Sequence, residues 1–377
     1  MKRNTHLRPC RFMMGLASAV MTTMLVLSSP QTTAATAEKQ STKAKIARPM
    51  LSAYVYDRAT IKLYDRDAPY LSQMNYSFAL LEDGKVTDKH WTGIKKFQAF
   101  MKKHPHILPV LAVGGWGAEG FCDVAASDES RKIFAQSAVE LMEKHGFLGL
   151  DIDWEYPASS VAGIKSSPDD KWNFTLLLRE LRYTFDACEK QDGKHRYLAI
   201  AVGGSAAYAE KLELGEIAKI VDQVNVMTYD LRGFEKTTGH HTNLYPDSAD
   251  AVQSYIAGGI PANKIMLGAA FYGHAWRNVK GEGTGLNQRA ETSGNKTYSY
   301  DQIRQFLASG EYTLHWDESA MAHSLFDGST FISFESSESI AQKGKYAMNT
   351  GLQGVMFWEY NHDTTGELLK GLYDSLH

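Results

Sequence analysis

Cysteine is nearly missing from this chain: there are three in 377 residues, and one of them, Cys10, falls within the first twelve positions. Cys122 and Cys188 alone cannot make the disulfide framework of a small secreted scaffold, and the sequence leaves open whether they are joined or remain buried thiols. Excess basic charge is missing too. With 40 Lys and Arg against 43 Asp and Glu, the formal charge is −3, so nothing draws the chain to a nucleic acid by electrostatics. There is no internal repeat, and no glycine-rich phosphate loop follows the first apolar run. The only long apolar stretch near either end, Phe12 to Leu27, is short for a bilayer span and is broken by Ser18, Thr22 and Thr23.

That stretch follows Lys2, Arg3, Arg8 and Arg11 and precedes the small residues Ala35-Thr36-Ala37. This is the layout of a secretory signal peptide over 1–37, and it fits better than a membrane anchor. A polar tail spans 38–48. Removing four cations and no acid takes the formal charge from −3 to −7. The expected product is an exported protein, extracellular or periplasmic, monomeric and without stable membrane insertion. Its 44% hydrophobic and 22% charged composition suits an ordinary globular fold.

From residue 49 onward, apolar β-rich runs alternate with amphipathic helical runs. The predicted strands are Met50 to Val55, Gln73 to Leu81, Ile107 to Gly114, Gly146 to Glu155, Tyr197 to Gly203, Gln223 to Tyr229, Lys264 to Tyr272 and Gly351 to Trp358. Helices are predicted over Trp91 to Lys103, Glu129 to Lys144 and Trp172 to Lys190, where apolar residues recur every three or four positions. Strands that are apolar throughout and return through helices form a parallel sheet covered on both faces. Eight of them predict an α/β fold of the (β/α)₈ TIM-barrel type over 49–377, in preference to an open doubly wound sheet. Between the seventh and eighth strands, 277–330 is too long for a bare loop. It is expected to form a small α+β insertion that builds up the C-terminal face.

The fourth strand reads Leu150-Asp151-Ile152-Asp153-Trp154-Glu155-Tyr156-Pro157. Strand side chains alternate, so Asp151, Asp153 and Glu155 share the inner face while Ile152 and Trp154 face the helices. Carboxylates about 6 to 7 Å apart in low dielectric cannot all ionise, and at least one pKa must rise. A raised carboxyl at the end of a barrel strand is what a general acid requires. The alternatives are an acidic cluster neutralised by Arg and a divalent-metal site. Both fit less well: three buried acids need full compensation, and among the strand ends only His274 and His362 supply imidazoles. His240 and His241, after Thr-Thr-Gly in a loop, read as solvated and not as metal ligands. No metal and no cofactor is expected.

These residues resemble the chitinases and related hydrolases of glycoside hydrolase family eighteen. The fourth-strand signature of that family is Asp-x-x-Asp-x-Asp-x-Glu, and its last three acids match Asp151, Asp153 and Glu155. Ala112-Val113-Gly114-Gly115-Trp116 is similar to the third-strand Ser-x-Gly-Gly motif, QVNVMTYD over 223–230 to the sixth, Phe271-Tyr272-Gly273 to the seventh and Gly354 to Glu359 to the eighth. His315-Trp316-Asp317 and Phe331-Ile332-Ser333 resemble parts of the insertion domain of one chitinase subfamily. Two positions depart from the pattern. Leu148 stands at the first Asp and Ala112 at the Ser, both of which support the innermost acid in the family, so Asp151 must be compensated differently.

The resemblance implies hydrolysis of chitin or chito-oligosaccharides by a retaining, substrate-assisted route, an exception to the two-carboxylate rule. It makes Glu155 the proton donor, Asp153 the acceptor for the substrate's acetamido N–H, Asp151 the group that tunes Asp153, and Tyr229 the donor to the acetamido oxygen. Met227, Asp230 and Gly115 would line the site. Trp358 would floor it, with Trp116, Tyr54, Phe78 and Tyr272 stacking or lining. The rival readings are a sugar-binding lectin, which retention of Glu155 disfavours, a hydrolase of another N-acetylglucosamine glycan, and a metal-dependent barrel enzyme.

Overall fold

The eight apolar runs become parallel strands in a computed structural model, which describes residues 49–377. The predicted signal peptide, 1–37, and polar tail, 38–48, lie outside the described residues. The barrel strands are β1 (Met50–Tyr56), β2 (Gln73–Glu82), β3 (Leu108–Gly114), β4 (Gly149–Asp153), β5 (Tyr197–Gly203), β6 (Gln223–Met227), β7 (Ile265–Ala270) and β8 (Gly354–Trp358). Each pairs in parallel with the next, and β1 pairs with both β2 and β8, so the sheet closes into the (β/α)₈ barrel. Closure removes every barrel edge and leaves a filled interior.

Alternation sorts the side chains as expected. Trp154 is 1% exposed and stacks on Phe121 at 5.5 Å, with Phe174 edge-on at 5.6 Å, on the helix side of β4. The helix Asp128–His145 starts where Ser127 and Ser130 close a capping box, and it stops at Gly146, whose φ of 81° lies in the left-handed region. That cap corrects the expected start of the fourth strand: residues 146–148 are cap and entry, and β4 begins at Gly149. Cys122 and Cys188 are both buried and are not joined in a disulfide.

The insertion is an antiparallel five-stranded sheet ordered Lys296–Ser299, Tyr272–Trp276, Phe331–Phe334, Ala322–Phe326 and Thr313–Asp317, with the helix Tyr300–Ser309. It therefore runs from Tyr272 to Phe334, wider than 277–330. Tyr272, expected at the end of the seventh barrel strand, belongs instead to the insertion sheet. Trp276, Val279, Ala290, Phe326 and Phe331 give this sheet its own small core.

A buried ion pair fixes the point just past Phe334 where the chain returns from the insertion to the barrel. Lys343 lies on the helix Ser337–Thr350, and its Nζ is 2.7 Å from Glu335, each side chain being 1% exposed. The same ammonium donates to Thr242 Oγ1 at 2.7 Å, to the Gly268 carbonyl at 2.9 Å and to the Thr228 carbonyl at 3.3 Å, so it clamps β7 to the end of β6. Lys343→Met leaves Glu335 buried without its cation. The expected loss is about 3 to 5 kcal/mol in urea unfolding, and adding Glu335→Leu should restore most of it.

Candidate active site

Below the acids, the barrel interior is polar, and a chain of hydrogen bonds runs from Gln223 to Asp151, with Gln223 Oε1 itself left unpartnered. Gln223 Nε2 donates to Asn225 Oδ1 at 2.7 Å, and Asn225 Nδ2 donates to Asp151 Oδ1 and to the Tyr54 hydroxyl, both at 3.0 Å. The Tyr54 hydroxyl in turn donates to Asp151 Oδ2 at 2.6 Å. Both oxygens of the innermost acid are thus satisfied across three strands. This is the compensation that the Ser-to-Ala departure demands: Ala112 lies opposite Asp151 in the β3–β4 register, and its small side chain packs in the same interior cluster as Tyr54. Leu148 plays no part in this network. It is 40% exposed and lies on the opposite parity from Asp151. Tyr54, expected to line or stack, is 2% exposed, with its hydroxyl given to Asp151.

All three acids are raised, each chiefly by burial. Asp151 is pushed up to about 6 by burial, against the pull of the Tyr54 and Asn225 hydrogen bonds. Asp153 is raised well above the usual carboxylate range by burial and then by the charges of Glu155 and Asp151. Its Oδ1 is buried without a hydrogen-bond partner. Glu155 is raised to about 7, chiefly by burial; the Tyr156 hydrogen bond opposes this and the Asp230 charge reinforces it. Glycines make the approach to this line possible. Gly114 has a φ of 120°, and a Cβ there would come 2.1 Å from the Asp153 carbonyl oxygen. At Gly115 a Cβ would strike the Phe78 ring at 2.7 Å.

Asp153 and Glu155 open into a cleft of about 1070 Å³, at the upper end of small-molecule sites. Its lining includes Met227, Tyr229, Asp230, Trp116 and Trp358, with Asn295 and Thr297 contributed by the insertion. On the floor, Trp358 stacks on Phe78 at 5.5 Å and meets Tyr54 at 5.9 Å. Glu359, next in the chain and 1% exposed, accepts from Arg58 at 2.6 Å and fixes the end of β8. At the rim, Trp116 is 53% exposed and lies parallel to Phe234 at 6.0 Å. Tyr229 is nearly buried, its hydroxyl 3.8 Å from Met356 Sδ.

Tyr272, expected as a lining aromatic, donates its hydroxyl to Asp230 Oδ1 at 2.6 Å, and His274 Nε2 lies at the same distance from that oxygen. Enclosure in the cleft acts to raise Asp230, but the imidazoles of His241 and His274 hold it below the usual carboxylate range. The loop histidines need correcting: His240 is 8% exposed and His241 fully buried. Their loop is sewn to both domains, because the His241 carbonyl accepts from Leu231 N–H at 3.0 Å and its N–H donates to Ser333 Oγ at 3.0 Å.

Sequence reasoning missed Phe234, Tyr156, Tyr208 and the His241–His274 pair. Tyr156 adjoins the acid signature and was within reach. Phe234 and His241 lie in a loop of no distinctive pattern, Tyr208 on the short helix Ala206–Ala209, and His274 on the insertion strand Tyr272–Trp276.

A closed barrel with a line of acids at the C-terminal end of one strand, opening under aromatic rings, is the site architecture of a carbohydrate-processing (β/α)₈ protein. The family model for glycosyl hydrolases family 18 matches residues 49–363, and the chain belongs to that family. It is 36% identical over 298 residues to chitinase A1 of Niallia circulans, covering 72% of this chain and 42% of that protein. It is 34% identical over 290 residues to chitinase 1 of Aphanocladium album, covering 72% of this chain and 66% of that one. The chain thus spans less than two thirds of either relative. Among solved structures, a family 18 N-acetylglucosaminidase from Paenibacillus barengoltzii superposes with a TM-score of 0.82 at 37% identity, covering 87% of this chain and 99% of that one.

Proposed function

We propose that this chain is an exported hydrolase of chitin or chito-oligosaccharides that works with retention, the substrate's own 2-acetamido oxygen attacking the anomeric carbon. The observation that carries the reading is the pair of acids at the cleft: Glu155, raised to about 7, keeps a proton there, next to a buried Asp153 whose Oδ1 lacks a partner. Glu155 gives its proton to the glycosidic oxygen as the C–O bond breaks. The acetamido carbonyl closes on C1 to form an oxazolinium ion, whose N–H donates to Asp153. Water then opens the ring, with Glu155 taking back a proton. Tyr229 donates to the acetamido oxygen, Trp358 supports the sugar that is cut, and Trp116 with Phe234 offers a face to the next one.

Two features support a polymeric substrate: the volume of the cleft, about 1070 Å³, and the insertion residues Asn295 and Thr297 among its lining. Intact Glu155 disfavours the lectin reading. The solved relative is named an N-acetylglucosaminidase, so the product profile decides between single-sugar release and internal cutting. The test is to follow N-acetylglucosamine oligomers by proton NMR. The β anomer should appear first and mutarotate later, whereas binding without new reducing ends would support a lectin.

The pH dependence has a defined sign. The general acid must be protonated, so kcat/KM falls as pH rises through about 7, by about tenfold per unit beyond it. A rate that stays flat to pH 9 would contradict Glu155 as the donor.

A further inference from the structure

The proposed mechanism gives no role to Asp230, which lines the cleft, or to the two imidazoles packed against it. His274 Nε2 lies 2.6 Å from Asp230 Oδ1 and His241 Nδ1 lies 3.8 Å from the same oxygen. One ligand atom from each of the three residues falls within 4.8 Å of the others. The imidazole rings are 4.6 Å apart between centroids.

Three further observations distinguish this group from an ordinary ion pair. His241 is 0% exposed, yet neither ring nitrogen has a hydrogen-bond partner, an arrangement that costs energy unless something else engages it. His274 is already oriented as metal-binding imidazoles are: its Nδ1 donates to the Gly294 carbonyl, which fixes the ring and turns Nε2 toward Asp230. Asp230 is the only exposed member, 44% open to the cleft, so an ion has a path in and an open coordination position once bound.

We infer that Asp230, His241 and His274 form a binding site for a divalent transition-metal ion of the zinc type, and that its occupancy blocks the sugar cleft. The donor set of two imidazole nitrogens and one carboxylate oxygen suits zinc and disfavours magnesium or calcium, which prefer oxygen throughout. Tetrahedral zinc with bonds of about 2.0 Å places its ligand atoms about 3.3 Å apart. The His274–Asp230 distance opens slightly to reach that value and the His241–Asp230 distance closes slightly. A bound ion takes up the Asp230 oxygen that a sugar hydroxyl would otherwise meet, so the metal competes with the substrate. Only the inhibition rests on the proposed function, and the binding stands without it.

The test is calorimetric titration of the metal-stripped protein with zinc chloride, paired with His241→Gln and His274→Gln, all checked for unchanged melting without metal. One site per chain is expected in the parent protein, with affinity at least about tenfold weaker in both variants. Zinc should raise the KM for chito-oligosaccharides, and EDTA should reverse the effect. Absence of a one-to-one site, or equal affinity in parent and variants, overturns the inference. One-to-one binding lost in the variants, without any effect on turnover, keeps the metal site and overturns the blocking role.

Discussion

Glu155→Gln is expected to lower turnover of a chito-oligosaccharide by about 10² to 10⁴-fold, the share that a positioned general acid contributes. The amide keeps the size of the carboxyl but has no proton to give, so the loss should fall on kcat, with sugar affinity little changed. The nature of the leaving group sharpens the expectation. A dinitrophenolate departs without help, so an activated aryl chitobioside should retain far more of its rate than the natural linkage. Stability should not fall. Asp153 is raised partly by the charge of Glu155, and a neutral amide relieves that repulsion. A variant that melts at or above the parent temperature yet fails to turn over separates chemistry from folding.

Asp153→Asn carries the second large effect. The proposed role of Asp153 is to accept from the acetamido N–H and to hold negative charge beside the oxazolinium ion, and asparagine does neither well. A fall of about 10² to 10³-fold in kcat is expected, the scale of removing one preorganised electrostatic partner. KM should move less, because the interaction strengthens as positive charge develops. Unlike Glu155→Gln, this variant should gain little from an activated leaving group, since Asp153 assists the attack and not the departure. The contrast between the two substrates therefore assigns the two roles without reference to pKa.

The barrel and its line of acids were legible because both follow from local alternation. Once residues 149–153 are a strand, Asp151 and Asp153 must share a face, and Glu155 follows just beyond its end into the same cleft as Asp153, while Trp154 meets the helices against Phe121 and Phe174. Sequence order does not say which distant side chain meets an inner acid. Tyr54 and Asn225 reach Asp151 only because closure brings β1 and β6 to face β4, and no periodicity encodes that meeting. Tyr272 was placed on the correct side of the cleft but on the wrong sheet, since a single residue, Phe271, separates the end of β7 from the insertion. His241 misled for a related reason. A Thr-Thr-Gly-His-His loop is polar and looks solvated, and its burial depends on Ser333, 92 positions away. Lys343 gave no signal either: a lysine on an amphipathic helix is normally solvated, and its ammonium is buried only because Glu335 and two barrel carbonyls receive it.

The claim on which the rest depends is that the nucleophile belongs to the substrate and that Asp153 and Glu155 serve it. The most direct measurement compares kcat/KM for aryl chitobiosides whose N-acetyl groups carry no, one or three fluorine atoms. Fluorine withdraws electrons from the carbonyl oxygen, so the rate should fall steeply with each addition. A rate indifferent to fluorination would mean that some other group attacks the anomeric carbon, and the mechanism proposed for this site would be wrong.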